Sequence, residues 1–511
     1  MKPRQYSFLI ACLCVLNLAV KAQKHDYVWL SGYDSNVGYS SAFHSWFGIT
    51  KFDFSQGSTT WAYDSLGINF SGVACAMSNN NGNLEFYTNG VTVRNFADQV
   101  IGDNLHAGYY LTNINGWLQY GNPLREGFMN VPNPQNQNLY DLFYAFGDTV
   151  DDGNSASFRY LKFSRVDMSM SGGVGGMTFK DQIFSTTPSS NCLSMVKHAN
   201  GRDWWIITME EGTKCYKKFI YDGSTTIKVY PNQCINSGFQ YNQLDYSLHR
   251  FSPDGNYMAS IDNEQGKCDF FGFDRCSGEL TFLEEVFFPE KFDSVDYPLF
   301  GGEFSPNSRY FYVCANKKIY QFDMQANPIG TSKTTVAPNI SNLPSPFSFN
   351  HAQLGPDGRI YVGSMSTTYY FAVINDPNKA GSFCLFQDTI RAASVLTSLP
   401  SYPNYRLGAL DNSLCDTLGL SVIDQQKEKN ITVYPNPASE WVTLDYGFMD
   451  WSKGEVALQI INSLGQVVME QQLPAYSAYR KLDVSHLANG LYKVTLNRKG
   501  QVINSATFVK E

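Results

Sequence analysis

The chain has 511 residues, of which 43% are hydrophobic, 16% charged and 15% aromatic, and its formal net charge is −8. This length predicts two or more domains, and the apolar content excludes a disordered chain. The negative charge argues against nucleic acid and anionic lipid as partners, because both attract basic surfaces. The many aromatic residues favour β-strands, whose half-buried surfaces they fit.

Residues 1–22 have the pattern of an export signal. Two basic residues precede the apolar stretch SFLIACLCVLNLAV, which is too short to span a bilayer comfortably. Small residues near its end predict cleavage between Ala22 and Gln23. The alternative is a lipoprotein in which Cys12 of LIAC is acylated. No later stretch reaches 18 apolar residues, so we expect no transmembrane segment in the mature chain.

A turn rich in Ser, Pro, Asp and Gly recurs along residues 23–408. FSPDG begins at Phe251, FSPNS at Phe304 and LGPDG at Leu354, and NNNGN and HANGR are related turns earlier in the chain. The spacing, roughly 50 to 65 residues, indicates a repeat architecture. An apolar strand follows each turn, and a second strand with Phe-Asp often follows it. We therefore predict an all-β fold, a seven-bladed β-propeller with four strands per blade.

The strand before each turn is expected to lie innermost, beside the axis of the ring. The N-terminal strand YVWLSG is expected to share a blade with strands from around SFCLFQDTI and the residues up to Leu407, which would close the ring. FSPDGNYMA and FSPNSRYFYV resemble the repeats of TolB/WD-like propellers. Together with FGFDRCSGEL, IYQFDM and VINDPNKAG, they resemble secreted propeller proteins exported by the bacterial type IX secretion system, and this likeness covers nearly all of residues 27–415.

The last hundred residues differ from the rest of the chain in composition and in hydrophobic pattern. Residues 409–429 are polar and lack alternation, which predicts a linker. Residues 430–511 predict a small Ig-like β-sandwich, because short alternating strands flank a Pro-Asn-Pro turn and an Asn-Ser-Leu-Gly hairpin.

Four motifs of this C-terminal segment, VYPNPAS, INSLGQVV, LANGLYKVTL and FVK, resemble the type A sorting domain of type IX cargo. The matching positions are Tyr434, Pro435, Asn436, Pro437, Gly465, Gly490, Leu491 and Tyr492. The resemblance implies a Gram-negative source, recognition by the outer-membrane secretion machinery, removal of the domain during export, and surface attachment or release. The alternative is an ordinary terminal sandwich without a sorting role.

Eleven cysteines, two of them in the signal segment, leave nine in the mature chain. An exported chain can form disulfides. Cys268 with Cys276 is one candidate pair, and Cys384 with Cys415 is another, although connectivity does not follow from sequence. The alternative is that several of them are buried as small apolar residues.

Four side chains near the turns are candidates to line the axial channel: His198, His249, Glu303 and His351. The histidines could bind a metal, but they stand at unequal offsets from their turns. A polar, water-filled channel is the simpler interpretation, and we predict no metal and no cofactor. Asp254, Asp274 and Asp357 could pass for catalytic carboxylates, but two of them lie in Asp-Gly turns that Asp itself stabilises.

Aromatic residues in two loops, Trp46 with Phe47 and Trp117 with Tyr120, could stack on sugars or pack between blades. No recognisable catalytic set emerges. The leading hypothesis is a secreted or cell-surface binding protein without enzymatic activity, whose extracellular ligand, a glycan or a protein, is unknown. The alternatives are a polysaccharide hydrolase or lyase, and a structural surface or adhesion component.

Overall fold

The computed structural model divides the chain into two compact units, Met1–Leu418 and Gly419–Glu511. Among the residues that it describes, no helix has the length and apolar character needed to cross a membrane. The described residues are 23–35, 48–70, 72–105, 121–149, 156–186, 189–190, 192–210, 213, 215–235, 248–263, 265–288, 299–315, 317–337, 348–364, 367–410, 413, 415, 431–445, 456–473 and 479–511. The export signal with Ala22 and Cys12, most of the predicted linker, and the aromatic loop residues Trp46, Phe47, Trp117 and Tyr120 lie outside them.

The described part of the first unit forms seven antiparallel sheets that follow one another along the chain. The first three sheets consist of β1 (Val28–Gly32), β2 (Ile49–Asp53) and β3 (Thr60–Asp64); β4 (Cys75–Ser78), β5 (Leu84–Thr88), β6 (Val93–Asn95) and β7 (Val100–Gly102); and β8 (Phe128–Pro132), β9 (Leu139–Thr149), β10 (Ala156–Asp167) and β11 (Gly176–Ser185).

The next four sheets have four strands each. They consist of β12 (Ser194–Lys197), β13 (Trp204–Met209), β14 (Cys215–Tyr221) and β15 (Lys228–Cys234); β16 (Leu248–Phe251), β17 (Tyr257–Asp262), β18 (Lys267–Phe273) and β19 (Leu280–Phe287); β20 (Gly301–Phe304), β21 (Tyr310–Ala315), β22 (Lys318–Asp323) and β23 (Thr334–Ala337); and β24 (His351–Leu354), β25 (Ile360–Gly363), β26 (Thr368–Ile374) and β27 (Phe386–Leu396). Short 3-10 turns occur at Arg125–Gly127, Met170–Gly172, Ile329–Ser332 and Gly381–Cys384.

The recurring turn joins the first and second strands of a sheet, as its chemistry predicts. Ser252 Oγ accepts a hydrogen bond from the backbone N–H of Tyr257 at 2.9 Å, and Ser305 Oγ does the same for Tyr310 at 2.9 Å. Gly255 has a φ of +73°, a conformation that glycine adopts without steric cost. The motif is therefore a structural bend that lets each first strand lie beside the next strand of its sheet.

First strands of successive sheets lie next to one another, for example β12 beside β16, β16 beside β20 and β20 beside β24. The central strands are buried on both faces and rich in aromatic residues, which pack between sheets. Trp29 of the first sheet is fully buried and contacts the ring of Tyr361 of the seventh sheet at 5.3 Å between centroids. Packing of this kind seals the apolar faces that a single sheet would leave open.

The first and seventh sheets meet at a junction formed by side chains. Thr50 Oγ1 accepts a hydrogen bond from Ser394 N at 2.8 Å, and Ser31 Oγ accepts one from Thr397 N at 3.1 Å. The expectation that YVWLSG shares a sheet with the C-terminal strands is wrong, because β1 lies in a separate sheet and β27 in the seventh. Among the described residues the first sheet has three strands, one fewer than the four expected in each unit. The two sheets are joined by packing and side-chain hydrogen bonds.

The second unit contains two sheets with one apolar core. The strands are β28 (Thr432–Tyr434), β29 (Trp441–Asp445), β30 (Ala457–Asn462), β31 (Val467–Gln472), β32 (Tyr479–Asp483), β33 (Gly490–Arg498) and β34 (Gln501–Lys510). The three-stranded sheet has the order β28–β29–β32, and the four-stranded sheet has the order β31–β30–β33–β34. Val442, Leu458, Val494 and Phe508 are fully buried in this core.

Two disulfides occur among the described residues. One joins Cys215 of β14 to Cys234 of β15, which face each other in the strand register. The other joins Cys276, in the turn between β18 and β19, to Cys415 near the end of the first unit. This bond fixes the residues that follow the last sheet.

Both disulfides expected from the sequence are wrong. Cys268 lies within β18 and is fully buried in the core, opposite Val286 of β19, whereas Cys276 lies beyond the end of that strand. Cys384 is a buried free thiol, and Cys415 is bonded elsewhere. Burial as a small apolar residue explains Cys268 and Cys384.

Candidate functional site

The turn repeat places three polar side chains at equivalent positions. Arg250 on β16, Glu303 on β20 and Gln353 on β24 each stand immediately before the last residue of the strand. Because their strands are neighbours, the three side chains come together around a cavity of about 40 Å³, which has room for a few water molecules. Its wall also includes Asp26, Met129, Val196, Tyr402, Asn404 and Arg406.

Arg250 is the central cation of this cluster, and only 5% of its side chain is exposed. Its guanidinium lies 3.7 Å from the Glu303 carboxylate and 3.7 Å from that of Glu126. Its Nη1 donates a hydrogen bond to Ser401 Oγ at 3.2 Å. Among the described residues, its Nε and Nη2 have no hydrogen-bond partner. A buried carboxylate and a partly exposed one thus share one buried guanidinium, which compensates part of their desolvation cost.

Glu126 is the more accessible carboxylate, with 20% of its side chain exposed. It accepts a hydrogen bond from Ser401 Oγ at 3.2 Å and lies 3.1 Å from His351 Nδ1. Burial alone would raise the pKa of Glu126, but Arg250 and His351 lower it to about 2. Glu126 is therefore ionised at every physiological pH.

His351 faces two oxygen acceptors, since its Nε2 lies 3.0 Å from the carbonyl oxygen of Pro400. Burial, together with the positive charge of Arg125, lowers the pKa of His351. A neutral ring has one N–H, so at neutral pH it donates to only one of the two acceptors.

The pKa of Glu303 is shifted in the opposite direction to that of Glu126. Burial raises the pKa of Glu303 to about 7, although Arg250 and two backbone N–H groups act against the rise. Those donors are Phe304 N at 2.8 Å and Leu354 N at 3.2 Å. A carboxyl group that titrates near neutral pH can hold or release a proton, which is a property that functional sites often use.

The segment that follows the last sheet contacts the second, third, fifth and seventh sheets and covers the cluster. Tyr402 N donates to Gln353 Oε1 at 2.9 Å, and Tyr405 OH donates to the Asn130 carbonyl at 2.7 Å. Tyr402 and Tyr405 are buried. We call residues 397–410 the crossing segment. It occupies the end of the sheets where the repeated turns lie, since Asn404 Nδ2 bonds the carbonyl of Pro253 at 2.7 Å.

Of the four side chains expected to line a channel, Glu303 and His351 come together in the cluster and the other two do not. His249 points between sheets, where Nδ1 lies 2.9 Å from Ser260 Oγ, and burial lowers its pKa to about 4. His198 belongs to a turn, where its Nδ1 accepts a hydrogen bond from Asn200 N at 3.1 Å. No group of three or more metal-ligating side chains occurs in the part of the chain that is described.

Sequence reasoning missed Arg250 and Glu126. Arg250 was detectable, because it has the same offset from its turn as Glu303. Glu126 was not, because it lies in the 3-10 turn before β8 and no repeat marks it. The aspartates of the turns are occupied structurally: Asp254 Oδ1 accepts from Asn256 N at 3.0 Å, and Asp357 Oδ2 accepts from Tyr361 OH at 2.8 Å. Asp274 Oδ1 likewise accepts from Cys276 N at 2.8 Å.

The residues of the C-terminal motifs divide into buried and exposed groups. Tyr492 is buried, stacks on Phe508 at 5.5 Å and donates to the Ala488 carbonyl at 2.7 Å. Leu491 beside it is 56% exposed, and Tyr434 is 51% exposed.

The remaining motif positions are backbone features. Gly465 has a φ of +81° in the hairpin between β30 and β31, and Gly490 begins β33 with a φ of +155°. The peptide bonds before Pro435 and Pro437 are cis, and Asn436 between them hydrogen-bonds to β34.

Residues 432–510 match a protein family described as a secretion system C-terminal sorting domain. No curated protein matches the chain. The match covers all four C-terminal motifs, so the chain is exported by the type IX secretion system to the cell surface or the extracellular space.

Several solved structures are similar to the chain at low identity. A candidate 6-phosphogluconolactonase from Bacteroides fragilis is 12% identical, with a TM-score of 0.39 and coverage of 73% of this chain and 98% of that chain. A periplasmic gluconolactonase from Pseudomonas aeruginosa is 14% identical, with a TM-score of 0.28 and coverage of 58% and 91%. A β-propeller domain from Myceliophteria thermophila is 11% identical, with a TM-score of 0.31 and coverage of 64% and 86%. These TM-scores are too low to carry an argument about this chain.

Proposed function

We propose that the chain is an exported seven-bladed β-propeller of the TolB/WD type, followed by an Ig-like sorting sandwich, that binds an extracellular glycan or protein without converting it. The seven consecutive sheets, the adjacent first strands and the hydrogen-bonded junction between the first and seventh sheets support a closed ring of seven blades.

The observation that carries the proposal is the crossing segment. It covers one end of the central cluster. Its Tyr402 hydrogen-bonds to Gln353, and its Ser401 hydrogen-bonds to both Glu126 and Arg250. A substrate could not reach these groups from that end without displacing buried aromatic side chains. Binding is therefore proposed where the cluster is not covered, and Glu126 is its partly accessible carboxylate, with 20% of its side chain exposed.

An array of glycans and extracellular proteins, probed with the purified exported chain, tests the proposal when binding and product formation are both measured. Binding without product supports it, and product formation contradicts it. Glu126→Gln should weaken binding, whereas Glu470→Gln, at an exposed residue of β31 in the second unit, should leave it unchanged. A purely structural or adhesive role would give neither binding to a defined ligand nor a product.

A second candidate function is hydrolysis or elimination on a polysaccharide, and one observation favours it. Glu303 lies at the central cavity with a pKa raised by burial to about 7, which suits a general acid. In that case Glu303→Gln should abolish product formation while binding persists. If the array gives binding alone, this function is excluded.

A further inference from the structure

Four segments that are distant in the sequence meet at one end of the four-stranded sheet in the second unit. Asn462 ends β30 beside Tyr492 of β33, so the β30–β31 hairpin turn lies next to the start of β33. Leu491 pairs with Val509 of β34 in the register. The segment after β28 reaches the same place, because Ala438 N donates to the Val509 carbonyl at 2.8 Å.

Asn436 holds this last segment against β34. Its Oδ1 accepts a hydrogen bond from Val509 N at 2.9 Å, and its Nδ2 donates to the Thr507 carbonyl at 3.2 Å. Glu511 N donates to the Ala438 carbonyl at 2.8 Å and extends the contact. These bonds cover the end of β34 that would otherwise be a free strand edge, so a partner meets side chains here and not an open ladder.

The side chains at this end are unusually apolar for a surface. Leu464 is 81% exposed, Leu491 56%, Val467 48% and Val509 38%. Leu491 and Val509 are direct neighbours across two strands. They point away from the core, because the alternate residues Tyr492 and Phe508 are buried in it.

Lys493 is a charged residue of this surface. It is exposed and stands two residues after Leu491 on the same face, paired in the register with Ile461 on one side and Thr507 on the other. Among the described residues, no carboxylate forms an ion pair with Lys493. A cation within an apolar surface favours a partner with an apolar strip and a carboxylate opposite the cation.

We propose that Leu464, Val467, Leu491, Lys493 and Val509, the sorting patch, form the surface by which a protein of the type IX secretion machinery recognises the chain. The partner presents an apolar strip and a carboxylate to Lys493. The buried motif residue Tyr492 and the exposed Gly490 shape the patch, and the exposed motif residue Leu491 contacts the partner. This inference concerns export, and it holds whatever the first unit binds.

The test uses the full chain, expressed in a host that has the secretion system, with export measured as the fraction of chain outside the cell. Leu491→Asp, Val509→Asp and Lys493→Glu should each reduce export at least tenfold and leave the chain in the periplasm. Lys493→Arg should export normally, because it keeps the charge.

Val502→Asp is the matched control. Val502 is 61% exposed on the same strand as Val509, roughly 20 Å away at about 3.3 Å per residue, and lies outside the patch. It should export as the unchanged chain does. Normal export of Leu491→Asp and Lys493→Glu would overturn the proposal, and so would equal loss in Val502→Asp. Resistance of each variant to limited proteolysis separates a lost contact from a lost fold, and ligand binding by the first unit should not change in any of them.

Discussion

The Arg406 guanidinium pairs with the Asp26 carboxylate through both terminal nitrogens, at 2.6 and 2.8 Å, and joins residues separated by 380 positions. Asp26 is 2% exposed, and its backbone carbonyl accepts a hydrogen bond from the indole N–H of Trp29. The pair therefore ties the crossing segment to the residues before the first sheet.

Replacing Arg406 with alanine should destabilise the first unit strongly. The change leaves the Asp26 carboxylate buried without its cation, a situation that costs about 3–5 kcal/mol. Asp26→Ala should cost less, because Arg406 is 27% exposed and can reach water. Denaturant unfolding of the full chain measures both. Arg309→Ala, which breaks an exposed ion pair with Asp323, should change the free energy of unfolding little. If Arg309→Ala and Arg406→Ala lower it equally, the buried pair does not stabilise the first unit more than an exposed pair does.

The contact between the first and seventh sheets should be equally sensitive. Trp29 is fully buried and contacts Phe54 and Tyr361, so Trp29→Ala should cost about 3–5 kcal/mol through lost burial and a cavity. Removal of residues 419–511 should leave the melting temperature of the first unit nearly unchanged, because they form a separate compact unit. Calorimetry of the two variants compares how much the melting temperature of the first unit falls when one side chain is lost and when the second unit is removed. A larger effect of the truncation would contradict the division into two separate units, and an unchanged melting temperature of Trp29→Ala would contradict the role of Trp29 in the junction.

The repeat carried most of what the sequence could predict about the first unit. Ser252 and Ser305 accept the same backbone hydrogen bond across their turns. Because the chemistry of such a turn is local, the amino-acid sequence predicts the bend and the strands around it. The offset from the turn likewise places Arg250 and Glu303 at one level.

The rest depends on contacts without a local signal. Glu126 reaches the cluster from a 3-10 turn outside the repeat, and the crossing segment consists of loop residues that lack alternation. The junction of the first and seventh sheets uses hydroxyl groups such as Thr50 Oγ1, which a sequence pattern for strand pairing does not describe. Disulfide partners depend on where loops meet in space, and Cys276 and Cys415 are 139 positions apart.

Peptide mapping under non-reducing conditions should find Cys215 joined to Cys234 and Cys276 joined to Cys415. Cys75, Cys192, Cys268, Cys314 and Cys384 should appear as free thiols that react only after unfolding, because all five are buried. A Cys268–Cys276 or Cys384–Cys415 peptide would contradict the structure.

Loss of the Cys276–Cys415 bond should lower stability by roughly 2–4 kcal/mol, since the bond closes a long loop and holds the end of the first unit. Cys415→Ser in the full chain, followed by denaturant unfolding, measures this. Cys384→Ser, at a free buried thiol, is the comparison for the loss of a sulfur atom alone. Equal stability of Cys415→Ser and the unchanged chain would show that the bond does not restrain the unfolded chain as expected.

The two carboxylates of the central cluster should respond to pH in opposite directions. Burial raises the pKa of Glu303 to about 7 from an ordinary 4.5, so its contribution to stability is fully present below pH 4.5 and is lost as the pH rises through 7. The difference in unfolding free energy between the unchanged chain and Glu303→Gln should therefore fall by about 3 kcal/mol between pH 4.5 and 8, at about 1.4 kcal/mol per unit of pKa shift.

The pKa of Glu126 is lowered to about 2, so its contribution is present above pH 4.5 and is lost as the pH falls through 2. The corresponding difference for Glu126→Gln should thus be flat from pH 5 to 8 and change only in acid. Unfolding curves of the three proteins across this range give both differences, and a flat Glu303→Gln profile would mean that Glu303 is ionised throughout and that Arg250 outweighs its burial.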